Sequence, residues 1–170
     1  MRVSSLEAIF RALNAVRAEY LVVGGIAVIA HGHMRYTNDL DLVLNLSSEH
    51  LPDVLQAFTS VGLYPRVPVN IQDFANPDLR SGWQNEKGMV VFNLLHKYDP
   101  ELVVDIFITE PFDFAKEYAE AKQQEFAKGL FVPVVSLSRL IVMKKETGRP
   151  QDLIDAEKLT ILSSIINEQA

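Results

Sequence analysis

The sequence predicts an α/β (α+β) fold: a mixed β-sheet flanked by helices, with a small helical portion at the C-terminus. Three observations carry this. Short apolar runs that read as buried strands, Tyr20–Val23 and Leu40–Leu46, alternate with helix-like segments in the first sixty positions. Two strongly apolar runs, Met89–Leu95 and Leu102–Ile108, are joined by the turn HKYDPE and predict an antiparallel pair. The chain closes on two helical stretches, Ser136–Thr147 and Pro150–Ile166, divided by Gly148 and Arg149, with Pro150 at a favourable first-turn position.

The other elements follow from local patterning. Ser4 with Glu7 has the form of a capping box, and Leu6, Ile9, Phe10 and Leu13 recur at helical spacing behind it. Gly24-Gly25 ends the first strand, and Ile26–His33 reads as a short helix closing near Gly32. Ser47 or Ser48 is expected to cap a helix running to about Val61. Pro65–Gly88 is broken by prolines and glycines, so NPDLRSGWQNEKG reads as an exposed loop or irregular hairpin. A helix from Pro111 to about Ala119 and weaker strands at 124–127 and 130–135 complete the chain. No repeat or compositional break divides it, so residues 1–170 read as one domain, of which 136–170 form the C-terminal helical portion.

Composition narrows the classes of function. With 170 residues, 48% hydrophobic and 22% charged, the chain has the make-up of a soluble globular domain. A net charge of −6 argues against a general nucleic-acid coat or a binder of anionic membranes, while leaving room for one locally basic cleft. There is no cysteine, which rules out disulfides and thiolate metal sites. No signal-like N-terminal run and no apolar stretch near the roughly 20 residues of a membrane span are visible. A cytoplasmic location without membrane association is the expectation.

The chemistry concentrates in VVGGIAVIAHGHMRYTNDLDLVL, Val22–Leu44. Residues two apart on a strand share a face, so Asp39 and Asp41 project together while Leu40 and Leu42 face the core. Two adjacent carboxylates repel, increasingly so as they leave water, and a bound divalent cation removes that penalty. Asp105, inside LVVDIFI, is a charge in an apolar strand and needs a partner. If that strand lies beside Asp39–Leu46, Asp105 completes a three-carboxylate cluster. The bland alternative is a solvated edge strand with Asp105 capping a neighbouring group. Gly24 and Gly25, at a strand-to-helix junction, allow close approach of a phosphate. The P-loop and dinucleotide fingerprints are both absent from the chain.

Several residues carry two readings. Arg35 can meet phosphate oxygens or pair with a carboxylate, and the Thr37 hydroxyl can hold the aspartates. Lys144 and Arg149 can reach a triphosphate or form salt bridges with Asp152 or Asp155. His31 and His33 are poorly spaced for a shared metal on a short helix. Phe74, Trp83 and Tyr98 can stack on a base, though core filling is the more frequent role of such side chains.

The order Gly24-Gly25, thirteen residues, Asp-Leu-Asp-Leu, then a remote apolar strand with Asp105 resembles the nucleotidyltransferase superfamily of the DNA polymerase beta type. The string GGIAVIAHGHMRYTNDLDL resembles its small prokaryotic branch of minimal, abortive-infection toxin-type and antibiotic nucleotidyltransferases. SLSRLIVMKKETGRPQDLIDAEKL is similar to that branch as well. The resemblance implies transfer of a nucleoside monophosphate from an NTP to an acceptor hydroxyl, with Mg²⁺ or Mn²⁺ as cofactor. Asp39, Asp41 and Asp105 would be catalytic and hold the metal. Gly24, Gly25, Arg35, Thr37 and Lys144 would bind the nucleotide. The acceptor is left open among a small molecule, an RNA and a protein, and a homodimer or a toxin–antitoxin partner fits the same branch. The alternative is a catalytically silent nucleotide-binding protein acting as an antitoxin or regulatory partner.

Overall fold

A computed structural model describes residues 1–169; position 170 of the expected C-terminal portion lies outside the described residues. Strands β1 (Tyr20–Val23), β2 (Asp39–Leu44), β3 (Leu63–Pro65), β4 (Val91–His96), β5 (Val103–Phe107), β6 (Lys122–Ala127) and β7 (Leu130–Val134) form one seven-stranded sheet. Their order is β3-β4-β5-β2-β1-β7-β6. The sheet is mixed, as the sequence predicts. β1 runs antiparallel to β2 and parallel to β7, β2 is parallel to β5, and β4–β5 is the expected antiparallel pair.

Helix α1 (Val3–Ala15) buries Leu6, Ile9, Phe10 and Leu13, the stripe expected from their spacing. It begins before Ser4, so the Ser4–Glu7 capping box does not form. Arg2 occupies the cap position without a side-chain cap, and its backbone N–H donates instead to Asp99 Oδ2 at 2.7 Å. All four residues of β1 are buried, as befits a central strand between two neighbours. Helix α2 (Gly24–Ala30) starts at the glycines rather than after them, leaving His31–His33 in the turn beyond. Helix α3 (Leu51–Ser60) starts later than Ser47 or Ser48; the Ser48 hydroxyl accepts from the His50 N–H at 3.2 Å in the preceding turn, and Pro52 lies in the first helical turn.

The largest departure is in the stretch read as a loop. Pro77–Lys87 is helix α4, capped by Asn76, whose side chain accepts from the N–H groups of Asp78 at 2.9 Å and Leu79 at 3.4 Å. Two of the apparent breakers bound the helix, Pro77 opening its first turn and Gly88 closing it in the left-handed region at φ 61°, while Gly82 stands in its interior. Only Arg80 and Trp83 of this helix are buried, too few to make a visible apolar stripe. Trp83 stacks on Phe92 of β4 with ring centroids 5.3 Å apart. A 3₁₀ turn, Ile71–Ala75, precedes it and buries Phe74 in the same cluster.

Helix α5 (Phe114–Ala119) is capped by Asp113. Helices α6 (Leu137–Thr147) and α7 (Pro150–Gln169) pack on each other beyond β7 and close over the end of the sheet that carries the carboxylates. Leu40, Leu42, Phe92, Leu94, Val104 and Ile106 all join the buried core. The intervening strand positions stay partly open, and the functional residues occupy them. No helix among the described residues is long and apolar enough to cross a membrane.

Candidate active site

Strand alternation delivers the first two carboxylates. In β2, Leu40 and Leu42 are fully buried, while Asp39 is exposed and Asp41 partly so on the opposite face. The parallel register of β5 sets Asp105 directly opposite Asp41, and the antiparallel register of β4 sets Asn93 opposite Asp105. The row Asp41–Asp105–Asn93 therefore crosses three strands on one face. Asn93 Nδ2 donates to Asp105 Oδ1 at 2.6 Å and fixes that carboxylate. Asp39, Asp41 and Asp105 line one cleft of about 600 Å³. Gly24, Gly25, Arg35, Thr37 and Lys144 line it too.

The charges on this wall are left against one another. Asp41 is pushed up to about 6 by burial first, then by the negative charges of Asp105 and Asp39, with Lys144 and the Gly25 N–H pulling the other way. Asp105 is also raised, chiefly by burial and further by Asp39; the Asn93 bond and the charges of Arg66 and Arg149 oppose the rise. Mutually repelling carboxylates at a cleft wall are the donor chemistry a divalent cation satisfies, so the residues present fit one. Among the described residues no three acidic or histidine side chains are gathered tightly enough to ligate one ion by themselves. Magnesium ordinarily takes one or two carboxylates and fills its remaining positions with water and phosphate oxygens.

The glycine pair is required by this chain's own groups. Gly24 has φ 61°, and a Cβ there would stand inside the Asp41 carboxylate. A Cβ on Gly25 would lie 2.5 Å from Thr37 Oγ1 and 2.7 Å from Arg35 Nη2. The turn thus lets the strand carboxylate and the loop before β2 close over the start of α2.

The other wall is built from paired charges. Lys144 is buried, with Nζ 2.6 Å from Asp152 Oδ1 and 3.1 Å from Asp155 Oδ2. Of its two readings, ion pairing is the one present, although Lys144 also faces the cleft. Arg35 Nε lies 3.3 Å from Asp155 Oδ2. Arg149 stays largely in solvent, 3.9 Å from Asp152. His31 Nε2 contacts the Val135 carbonyl at 2.8 Å, and His33 lies 3.9 Å from Asp155; the two histidines share no metal-holding group. Phe74 and Trp83 are core residues, and Tyr98 is exposed against His96, away from the cleft. Sequence reasoning missed Asn93, whose place in the alternation of VFNLLH was the available signal, and the apolar lining from Phe107, Leu140 and Met143.

Solved structures share this architecture. The lincosamide antibiotic adenylyltransferase LnuA, bound to lincomycin, aligns at TM-score 0.61 and 15% identity over 94% of this chain and 96% of its own. The solution structure of the antibiotic-resistance factor ANT(2'')-Ia aligns at 0.56 and 16% identity, covering 98% and 91%. TM1012 of Thermotoga maritima, a candidate nucleotidyltransferase, aligns at 0.56 and 17% identity, covering 96% and 91%. No curated protein sequence matches the chain. Residues 4–168 match a family of nucleotidyltransferases of unknown function (DUF6036). A chain matched over nearly all its length, with the sheet and cleft described above, belongs to that nucleotidyltransferase family.

Proposed function

We propose that the protein transfers a nucleoside monophosphate from an NTP to a hydroxyl of an acceptor, with Mg²⁺ as its cofactor. The observation that carries this is the facing pair Asp41 and Asp105 on adjacent parallel strands, beside Asp39 and the Gly24-Gly25 turn in one cleft. Asp39, Asp41 and Asp105 would hold the cation, which when bound lowers the pKa of the attacking hydroxyl and neutralises the leaving pyrophosphate. Arg35, Thr37 and Lys144, with the turn at Gly24 and Gly25, bind and orient the triphosphate.

Asp105 is the proton acceptor. Asn93 donates to its Oδ1 and orients the carboxylate, whose Oδ2 would take the hydroxyl proton. The acceptor oxygen then bonds to the α-phosphorus, the bond to the bridging β-phosphate oxygen breaks, and pyrophosphate leaves with that electron pair. Val91, Phe107, Leu140 and Met143 give the cleft an apolar surface beside the reacting groups.

The solved neighbours LnuA and ANT(2'')-Ia, seen with lincomycin and with adenylyl-2''-tobramycin, make small hydroxylated molecules the first acceptors to try. The test incubates the protein with each labelled NTP, Mg²⁺ and a panel containing lincosamides, aminoglycosides, RNA and proteins. Label should pass to one acceptor class with release of pyrophosphate, and Asp39→Asn should not do this. Absence of both transfer and calorimetric binding of every Mg·NTP would overturn the proposal.

A further inference from the structure

Beneath the cleft, one carboxylate gathers groups from three parts of the chain. Asp155, on the second turn of α7, is fully buried. Gln151 Nε2 donates to its Oδ1 at 3.0 Å, and His33 Nε2 lies 3.9 Å from the same oxygen. Its Oδ2 faces Lys144 Nζ at 3.1 Å and Arg35 Nε at 3.3 Å. Lys144 is shared, because Asp152 holds it at 2.6 Å. Two acids therefore meet one buried lysine, and Arg35 is the cation that balances the second. A buried carboxylate without such a partner is strongly destabilising, so this arrangement specifies where Arg35 must be.

The Arg35 guanidinium is only partly engaged by the protein. Nε points at Asp155, Nη1 donates to the Tyr36 carbonyl at 3.2 Å, and Nη2 lies over Gly25. Arg35 Nε and Asp155 Oδ2 are both buried, yet neither completes a hydrogen bond, so charge holds them without the alignment a full bond requires. Arg35 lines the cleft together with Asp39 and Asp41, and the Nη1–Nη2 end is the outer edge of its guanidinium. A planar guanidinium suits this use: it can pair with an internal acid through one edge and present its other donors to a phosphate.

We propose that Asp155 is a positioning residue for nucleotide binding, aiming the outer edge of Arg35 across the Gly24-Gly25 turn at a phosphate of the bound NTP. This rests on the reading of the cleft as an NTP site. Asp155 touches no substrate itself; it acts through Arg35, which lies on a loop with no regular secondary structure to hold it.

The experiment is calorimetric binding of Mg·ATP, Mg·GTP, Mg·CTP and Mg·UTP to the full chain, without acceptor, alongside thermal unfolding. Asp155→Asn keeps the size of the side chain and should weaken binding of the preferred nucleotide about tenfold. Arg35→Ala should weaken it as much. The double variant should bind no worse than Arg35→Ala alone, because both changes remove one interaction. Independent effects that multiply in the double variant, or an Asp155→Asn protein that binds like wild type, overturn the proposal. If Asp155→Asn does not fold, Arg35→Lys decides. Its ammonium keeps the charge pair with Asp155 but lacks the outer edge, so it should bind as weakly as Arg35→Ala, and wild-type affinity overturns the proposal. Wild-type protein that binds none of the four nucleotides removes the NTP-site reading itself, which sets that failure apart from the others.

Discussion

The two walls of the cleft handle charge in opposite ways. On the strand wall, Asp39, Asp41 and Asp105 face one another, eased in part by the Asn93 side chain, the Gly25 N–H and Lys144, and burial and repulsion still drive Asp41 up to about 6. On the helix wall, Lys144, Arg35, Asp152 and Asp155 are at least as deeply placed, yet their charges cancel within 2.6–3.3 Å. A fold under selection for stability alone would treat both walls alike. The strand wall keeps a repulsion that an added cation would relieve, whereas the helix wall is complete as it stands. The first wall is therefore where chemistry is expected, and the second is where the geometry serving it is fixed.

Removing a strand-wall carboxylate should separate activity from stability most sharply. Asp41→Asn should reduce nucleotide transfer by roughly 10³-fold or more, since on the proposed reading it removes a metal donor from a reaction that depends on charge stabilisation. The same change should stabilise the metal-free protein. The folded-state value of Asp41 lies above its ordinary 3.8, so its ionised form is worse off folded than unfolded, and stability is lost as pH rises through about 6. At pH 7.5, Asp41→Asn should recover on the order of 1–2 kcal/mol, a rise of a few degrees in the unfolding midpoint. A drop in the midpoint would contradict the picture of a repulsive wall. For the same reason, Mg²⁺ affinity measured by titration should fall as pH is lowered through 6.

The helix wall should behave inversely. Lys144→Met leaves Asp152 and Asp155 short of one buried cation and should destabilise the fold by about 3 kcal/mol, read by chemical denaturation. An unchanged denaturation midpoint would show that these pairs contribute little to the fold. Gly24→Ala tests the seam between the walls. It places a side chain at φ 61° and against the Asp41 carboxylate, so a loss of roughly 2 kcal/mol and a displaced Asp41 are expected, with transfer falling by about 10²-fold. The smallest effect belongs to Asn93→Ala. Without this donor Asp105 rises further, so the acid limb of the pH–rate profile should move to higher pH while the rate at its plateau falls only a few-fold.

The strand wall was legible in the sequence and the helix wall only as one of two readings, for physical reasons. A carboxylate inside DLDLVL or LVVDIFI violates a strong rule about apolar strands, and the violation is visible one residue at a time. Lys144, Asp152 and Asp155 lie on helices, where charged residues are ordinary and only the fold reveals which are buried. The salt bridges of Lys144 and Arg149 therefore stood as one of two readings, and the tie from Arg35 to Asp155 spans 120 positions that no pattern connects. Helix α4 was missed because proline, glycine and asparagine are ambiguous between breaking a helix and bounding it. The start of α1 was misplaced because a capping-box spelling does not decide which residue leaves the helical conformation. The pairing of β2 with β5, on which Asp105 depends, rests on a parallel crossover whose register no local motif encodes.

That crossover has a consequence for the order in which the protein comes into being. Asp39 and Asp41 are adjacent when synthesised, but Asp105 joins them only after β5 has been made and has threaded in beside β2 in register. A slip of one residue would turn Asp105 into the core and bring Val104 or Ile106 to the cleft. The opposing wall waits for α7 to dock. Contacts of such long sequence separation form late and slowly, so a nascent chain on the ribosome carries half a site and no activity until nearly the whole domain has emerged. Catalytic competence thereby reports on completed folding, and a truncated or mis-registered chain is silent by construction.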